Sequence, residues 1–187
     1  RLHQSFAMPI FYAVGGGWRT LAKIHMAIEK APVPVVHGHS VNTRAARDLC
    51  KRLLRLSPAK LAALQGVSER RVRTTPAAAL VLDRLLKWLG PERVVFSALG
   101  LREGWLFSQL SQAEQYLDPI VEGARLIGLP LARVPAFAPA LVPWTAPLFA
   151  GETPAETRLR VAVCAVSDMA WRDDPDLRAE ESFRRLL

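Results

Sequence analysis

Three glycines at positions 15–17 separate an apolar run from a helical pattern, and Arg19 follows them closely. Glycines at the start of a helix let backbone N–H groups approach an anion, and the helix end adds partial positive charge. A guanidinium group beside them supplies a forked donor for phosphate. The segment therefore predicts an anion site at Gly16, Gly17 and Arg19. The residues leave open the alternative that the strand simply packs closely against the helix, with Arg19 on the surface.

A second basic segment runs from Gly66 to Arg73 and contains a serine and three arginines before a long helix. Guanidinium groups bind phosphate oxygens through paired hydrogen bonds. Ser68, Arg70 and Arg71 are therefore candidate ligands for a phosphate or a nucleotide. The alternative is a helix-capping serine followed by solvated arginines.

The segment from Ser97 to Gly104 has two glycines on either side of a Leu-Arg-Glu triplet. Arg102 and Glu103 could form an ion pair at the start of a helix, or could line a cleft. Glu103 is a candidate general base, but a glutamate in a first helical turn more commonly stabilises the helix dipole.

His37 and His39 are two residues apart, so on a strand their imidazoles would share a face and could reach one metal ion. No cysteine or acidic residue nearby offers a third ligand, and we predict no metal site. His25 lies on an apolar helical face and is predicted to be a core histidine. The familiar zinc, redox, serine-hydrolase and P-loop motifs do not occur in the sequence.

Hydrophobic periodicity predicts an α/β segment followed by a helical one, with a boundary near 108–113. The predicted strands are 9–14 and 93–97, and 33–38 is predicted to be a short extended piece or an edge strand. The predicted helices of the first part are 18–29, 44–56, a short one from 57, 76–89 and 102–110. The predicted helices of the second part are 112–128, 155–172 and 177–187. In the 76–89 helix, Asp83 is predicted to lie on the outer face. Six prolines between positions 130 and 154 predict a linker or short packed helices, and the aromatic residues among them favour packing.

The composition is that of a globular protein. The chain has 187 residues, of which 50% are hydrophobic and 22% charged, and this excludes collagen-like and broadly disordered chains. The length suits one good-sized domain or two small ones. No membrane span or signal peptide is predicted, and the widely separated Cys50 and Cys164 predict free thiols. We therefore expect a cytoplasmic protein.

Charge is distributed unevenly along the chain. Residues 1–110 carry seventeen basic and six acidic side chains, whereas residues 111–187 carry eight basic and eleven acidic ones. The first part is thus suited to face a polyanion such as nucleic acid, a nucleotide or an inorganic phosphate. A solvated basic surface is the alternative.

Three segments, 13–19, 66–71 and 97–104, resemble motifs of the exopolyphosphatase/guanosine pentaphosphate phosphatase (Ppx/GppA) family in order and spacing. The resemblance covers about residues 10–110, and the segment 159–178 resembles the helical C-terminal domain of some members. It implies a helix-rich α/β fold of the actin/Hsp70-like (ribonuclease H-like) type. Residues 1–110 would form a partial domain lining a phosphate cleft, and residues 111–187 an incomplete helical C-terminal domain.

The resemblance also implies a function. Members release the terminal phosphate of inorganic polyphosphate or guanosine pentaphosphate, usually with Mg²⁺, by attack of a water that a carboxylate activates. Glycine-rich loops and arginines neutralise the phosphoryl oxygens. The implied partner is polyphosphate or guanosine pentaphosphate. From the sequence we predict no membrane association, do not favour nucleic acid as a partner, and leave a homodimer open. No Mg²⁺ ligand is identified in this segment.

The sequence also departs from the family. The opening phosphate loops and the catalytic glutamate have no counterpart here, so no catalytic residue is assigned and this segment alone is predicted to be inactive. Gly17 stands where a threonine is usual, Ala78 where a glycine is usual, and Arg73 where an acidic residue is common. The methyl group of Ala78 is expected near the ligand face.

Two other functions are open at this stage. One is a catalytically silent module that binds polyphosphate or an alarmone. The other is a nucleic-acid-binding or scaffold domain that uses the basic first part. The scarcity of aromatic residues among the basic ones argues against single-strand binding.

Overall fold

Three short strands form a mixed sheet in the computed structural model, which describes residues 8–187. The strands are β1 (Ile10–Val14), β2 (Ser40–Asn42) and β3 (Arg93–Ser97), in the order β1-β3-β2. β3 pairs in parallel with β1 and antiparallel with β2. The carboxyl ends of β1 and β3 therefore lie at the same edge of the sheet, with Val14 opposite Ser97.

The edge strand, one of the two alternatives for 33–38, is not formed. The chain forms β2 at Ser40–Asn42 instead, where the buried Val41 pairs with Val94. The physical reason is the proline at position 34, which has no N–H group to donate to a sheet. Gly38, with a φ of 79°, then turns the chain into the short strand.

The chain divides into two compact units, residues 1–109 and 110–187. In the described part of the first unit, residues 8–109, the sheet is accompanied by six helices. They are α1 (Gly16–Ile28), α2 (Thr43–Leu54), α3 (Pro58–Ala62), α4 (Glu69–Val72), α5 (Thr75–Leu89) and α6 (Leu101–Ser108). The Asn42 side chain accepts the Ala45 N–H at 2.8 Å and so begins α2, and Gly90 ends α5 in the left-handed conformation.

The core of the first unit lies between the sheet and α1, α2 and α5. Its large buried side chains come from each of these elements, and burying them is the main force that holds the elements together. They are Leu21 and Ile24 of α1, Leu53 of α2, Leu82 and Leu86 of α5, and Val94 and Phe96 of β3.

Asp83 does not lie on the outer face of its helix, contrary to the prediction. Its carboxylate is buried and accepts from Nε of Arg47, on α2, at 2.9 Å. An α2 arginine within reach makes burial of this charge tolerable. The neighbouring Cys50 thiol is fully buried, and its burial, together with the Asp83 charge, raises its pKa to about 12.

His25 of α1 is half-buried and bonded to a second histidine. Its Nδ1 lies 3.1 Å from Nε2 of His39, whose ring stacks on Phe96. One of the two facing nitrogens must lack a proton for this hydrogen bond to form. Burial lowers the pKa of both imidazoles; Glu29 opposes the shift at His25, and the charge of His25 adds to it at His39.

We expect the first unit to lose stability as the pH falls below the ordinary histidine pKa of about 6.5. The unfolded chain then binds protons that the folded histidine pair resists, so the free energy of unfolding decreases until the folded pKa is passed. Urea unfolding at pH 7.5 and pH 5.5 measures the loss. The variant His25→Gln/His39→Gln should show a smaller loss, and an equal loss in both proteins would contradict the assignment.

The second unit consists of helices and turns, and its described residues contain no strand. The helices are α7 (Gln112–Gln115), α8 (Pro119–Gly128), α9 (Phe137–Thr145), α10 (Pro154–Val166) and α11 (Arg178–Leu186), with 3-10 turns at Leu129–Leu131 and Ala146–Phe149. The predicted 112–128 helix is interrupted before Pro119, where Asp118 caps α8. The predicted 155–172 helix ends at Val166. The proline-rich stretch forms α9 and turns.

Close packing and one largely buried ion pair hold the second unit together. Gly128 of α8 lies against the backbone of Ala165 on α10. Two nitrogens of Arg160 donate to the Glu152 carboxylate, and a third donates to the Val142 carbonyl oxygen at 2.8 Å. No helix within residues 8–187 is both long enough and apolar enough to cross a lipid bilayer.

Polar side chains between positions 168 and 178 bond to groups within the second unit. The Asp168 carboxylate accepts the Arg133 N–H at 2.8 Å, and Arg178 donates to the Trp171 carbonyl oxygen at 2.8 Å. These bonds connect segments within the second unit and give the Asp168 carboxylate and the Arg178 guanidinium protein partners.

Candidate functional site

The turn between β1 and α1 presents backbone donors at the edge of the sheet. Gly15 has a φ of 127°, a backbone conformation that residues other than glycine rarely adopt. Its carbonyl oxygen accepts the Arg19 N–H, which is the first hydrogen bond of the helix. Within the described part of the chain, the N–H groups of Gly16, Gly17 and Trp18 have no acceptor. Three free donors at a helix start, together with the helix dipole, favour an anion.

The guanidinium of Arg71 lies beside this turn. A methyl group built on Gly16 would lie 3.1 Å from Cζ of Arg71 and would collide with its Nη2. Glycine at position 16 therefore makes room for the cation. The side chain of Arg71 is exposed and forms no hydrogen bond or ion pair with any residue in the range 8–187. A cation without a counter-ion beside the positive end of a helix is a favourable arrangement for an anionic ligand.

Contacts on both sides of α4 determine where Arg71 lies. Its carbonyl oxygen accepts the hydroxyl of Thr75, a fully buried residue, at 2.7 Å. On the other side, Gly66 has a φ of 92° and packs against Lys23 of α1, so that a side chain there would lie 2.8 Å from the Lys23 Cβ. The segment that carries Arg71 is thus fixed against α1.

Arg19 faces the segment that follows β3. Its Nη1 donates to the carbonyl oxygen of Ala98 at 3.2 Å. The N–H of Ala98 donates to Nδ1 of His37 at 3.3 Å. The Ser97 hydroxyl donates to the Leu99 carbonyl oxygen and accepts the Leu99 N–H. The carboxyl ends of the two parallel strands are therefore linked through this arginine.

Glu103 begins α6 and is engaged in structure. Its Oε2 accepts the Gly100 N–H at 2.6 Å, and Arg102 lies 3.7 Å from its other oxygen. Backbone hydrogen bonds lower the pKa of this carboxyl, and the nearby arginines Arg102 and Arg19 add to the effect. A carboxylate with a lowered pKa that is already bonded is a poor general base, and the helix-start interpretation is the one that its contacts support.

The predicted site residues do not all meet at one place. Gly16, Gly17 and Arg71 lie together at the start of α1, and Arg19 reaches the neighbouring segment after β3. Ser68 precedes α4, and its carbonyl oxygen, not its hydroxyl, accepts the Arg71 N–H. Arg70 is exposed and has no bonded partner among residues 8–187.

Two residues of the site were not singled out from the sequence. Trp18 donates from Nε1 to the carbonyl oxygen of Ala78 at 3.1 Å, and Thr75 anchors Arg71. A tryptophan directly after a glycine turn is a signal that can be read, whereas nothing in the local pattern marks Thr75. The structure also places the Ala78 methyl group against Gly17, in the contact between α1 and α5, where a Cβ on Gly17 would lie 3.1 Å away.

The residues of the site do not fit a metal ion by themselves. Mg²⁺ is usually held by one or two carboxylates together with substrate phosphates, whereas this site offers guanidinium groups and backbone donors. No three histidine, cysteine or acidic side chains are grouped to hold a metal within the part of the chain that the structure describes. His37 and His39 bond to different partners, Ala98 and His25.

Comparison with known proteins assigns a family to the chain. The model of the Ppx/GppA phosphatase family matches residues 7–113, a range that contains β1 to β3, α1 to α6 and every predicted site residue. No curated protein matches the chain. Since the match spans more than half of the 187 residues, the chain belongs to the Ppx/GppA phosphatase family.

Proposed function

We propose that the first unit binds the phosphate groups of inorganic polyphosphate or guanosine pentaphosphate, and that it forms one wall of a cleft in which the terminal phosphate is released. Membership of a phosphatase family supports this proposal, and it is consistent with an actin-like fold for the helix-rich α/β unit. The observation that carries the proposal is the Arg71 guanidinium beside the unpaired N–H groups of Gly16 to Trp18.

In phosphoryl transfer the protein takes little part in bond making and breaking. Hydrogen-bond donors and cations that hold the phosphate oxygens therefore provide a large part of the catalysis. The start of α1 provides backbone donors for one phosphate, and Arg71 provides two parallel donors for the same phosphate or the next one. Arg19, Ser68 and Arg70 are proposed to contact further phosphates of the chain. These donors suit a chain of phosphates, which inorganic polyphosphate and guanosine pentaphosphate both contain.

We also propose that this chain binds phosphate without releasing it. The site carboxylate, Glu103, is bonded to Gly100, and the resemblance places the catalytic glutamate and opening phosphate loops of the family in motifs that this sequence does not contain. Release of phosphate would then require a protein that includes those motifs. The cytoplasmic location and the homodimer remain expectations.

The experiment combines binding with turnover. Fluorescently labelled polyphosphate is titrated with the chain in 150 mM salt and Mg²⁺, with guanosine pentaphosphate as competitor, and released phosphate is measured in parallel. We expect saturable binding and no release. Release should appear when the chain is extended at its amino end by a segment carrying the family's missing motifs.

Three outcomes separate the alternatives. Binding without release by the extended protein would favour a silent module. Equal binding of arbitrary duplex DNA, with a steep loss of affinity as salt rises, would favour a nucleic-acid function. Release by the chain itself would contradict the assignment of Glu103 and of the missing catalytic groups.

A further inference from the structure

Ala78 of α5 meets the first turn of α1 through two contacts. Its methyl group faces Gly17, where any Cβ would lie 3.1 Å away. Its carbonyl oxygen accepts the indole N–H of Trp18 at 3.1 Å. The two contacts join α1, which provides the free backbone donors, to α5, the helix after the one that carries Arg71.

We infer that Gly17, Trp18 and Ala78 form a positioning contact that sets the Arg71 guanidinium beside the start of α1. The inference rests on the proposed function, in which Arg71 and these backbone donors hold one phosphate chain. Neither the Trp18 nor the Ala78 side chain is assigned contact with the ligand. Trp18 and Ala78 act through Arg71.

The indole of Trp18 is held from two sides. Its ring meets Phe11 of β1 edge to face, with 5.6 Å between ring centroids, while its N–H bonds Ala78 on α5. An aromatic ring between two elements fixes their spacing because it has few rotamers and a large contact area. Trp18 thus connects the strand before the glycine turn to α5.

Hydrogen bonds connect Ala78, through Thr74 and Thr75, to the backbone of Arg71. The Ala78 N–H donates to the Thr74 carbonyl oxygen at 3.0 Å, and the hydroxyls of Thr74 and Thr75 donate to the Arg71 carbonyl oxygen at 3.3 and 2.7 Å. Because Thr75 is buried, this end of α5 cannot shift freely. A displacement at Ala78 would therefore move Arg71.

The size of the two small residues is matched across the contact. Gly17 and Ala78 touch, since a Cβ at position 17 would lie 3.1 Å from the Ala78 methyl group. The glycine provides the space that the Ala78 methyl group occupies. A larger residue at position 17 would fit only if the residue at position 78 were smaller. Because the contact is closely packed, substitutions at the two positions should therefore depend on each other.

The test is a double-mutant cycle on polyphosphate affinity. Trp18→Phe keeps a ring against Phe11 and removes the N–H donor, and we expect it to weaken binding about three- to tenfold, since a neutral hydrogen bond contributes on this scale. Arg71→Ala should lower polyphosphate affinity by a smaller factor in the Trp18→Phe background than in the wild type, because Trp18→Phe has already displaced the guanidinium. Urea unfolding checks that each variant is folded.

A second pair of variants keeps the inference testable if Trp18→Phe is unstable. Gly17→Thr should weaken polyphosphate binding, and Gly17→Thr/Ala78→Gly should restore at least part of the affinity. Two results would overturn the inference while leaving the proposed function intact. One is that Arg71→Ala lowers polyphosphate affinity by the same factor in the wild type and in the Trp18→Phe background. The other is that Ala78→Gly restores no affinity to Gly17→Thr. Absence of wild-type binding, or no effect of Arg71→Ala in the wild type, would overturn the proposed function and the inference together.

Discussion

Arg71→Ala is expected to weaken polyphosphate binding roughly ten- to a hundredfold, because hydrogen bonds to charged groups contribute about 1.5–3 kcal/mol. The side chain has no protein partner among residues 8–187 that would share this energy, and it lies beside the free N–H groups of α1. Titration of labelled polyphosphate at fixed salt measures the change.

Arg55→Ala is the matched control, since Arg55 is an exposed arginine at the end of α2 and its loss removes the same charge. It should change affinity only through the overall field, which is screened at this salt concentration. Equal losses in the two variants would mean that the first unit attracts polyphosphate by net charge alone and would contradict the site.

Gly16→Ala tests the same site without removing a charge. Its Cβ would collide with the far end of the Arg71 side chain, which can move away without disturbing the backbone. We therefore expect nearly unchanged stability, together with an affinity loss that is not additive with that of Arg71→Ala.

Gly128→Ala is expected to destabilise the second unit by about 3 kcal/mol or more, the upper range for overpacking a close contact. A Cβ at this position would lie 2.7 Å from the Ala165 carbonyl carbon and 2.9 Å from the Val166 Cα. Both atoms belong to the backbone of α10, so no side chain can move to relieve the contact. Thermal unfolding followed by circular dichroism measures the effect.

Gly123→Ala provides the control within the same helix. Nothing lies within 4 Å of a Cβ at Gly123, so the substitution should be neutral or should stabilise α8 by up to about 1 kcal/mol through helix propensity. Similar destabilisation by both variants would show that α8 and α10 are not packed at Gly128.

Local signals predicted much of the first unit. The glycine turn, the helix after it, the strand at 93–97 and the amphipathic helix ending at Gly90 are all found within a few residues of the predicted bounds. These elements depend on periodicity and on glycine or proline at their ends, which are properties of neighbouring residues. β2, at Ser40–Asn42, was not predicted, because it needs a partner strand, Arg93–Ser97, that lies far along the chain.

The burial of Asp83 shows a second limit. Its position beside Arg84 and Lys87 predicted an outer face, but the deciding group is Arg47, from another helix. Whether a charge is exposed or buried depends on the partner that tertiary packing supplies, and helical spacing does not contain that information.

The sequence by itself determined the types of residue available for an anion site: a glycine turn at a helix start and a cluster of arginines near position 70. It also determined, through three motifs in order, the family that the comparison confirmed. Only the tertiary structure decided that Arg71, and not Arg70 or Ser68, lies against Gly16, and that Trp18 bonds a residue 60 positions away. The physical reason is that such contacts are made when α5 packs against α1 and α2. That packing follows from burial of the whole core and not from any local pattern.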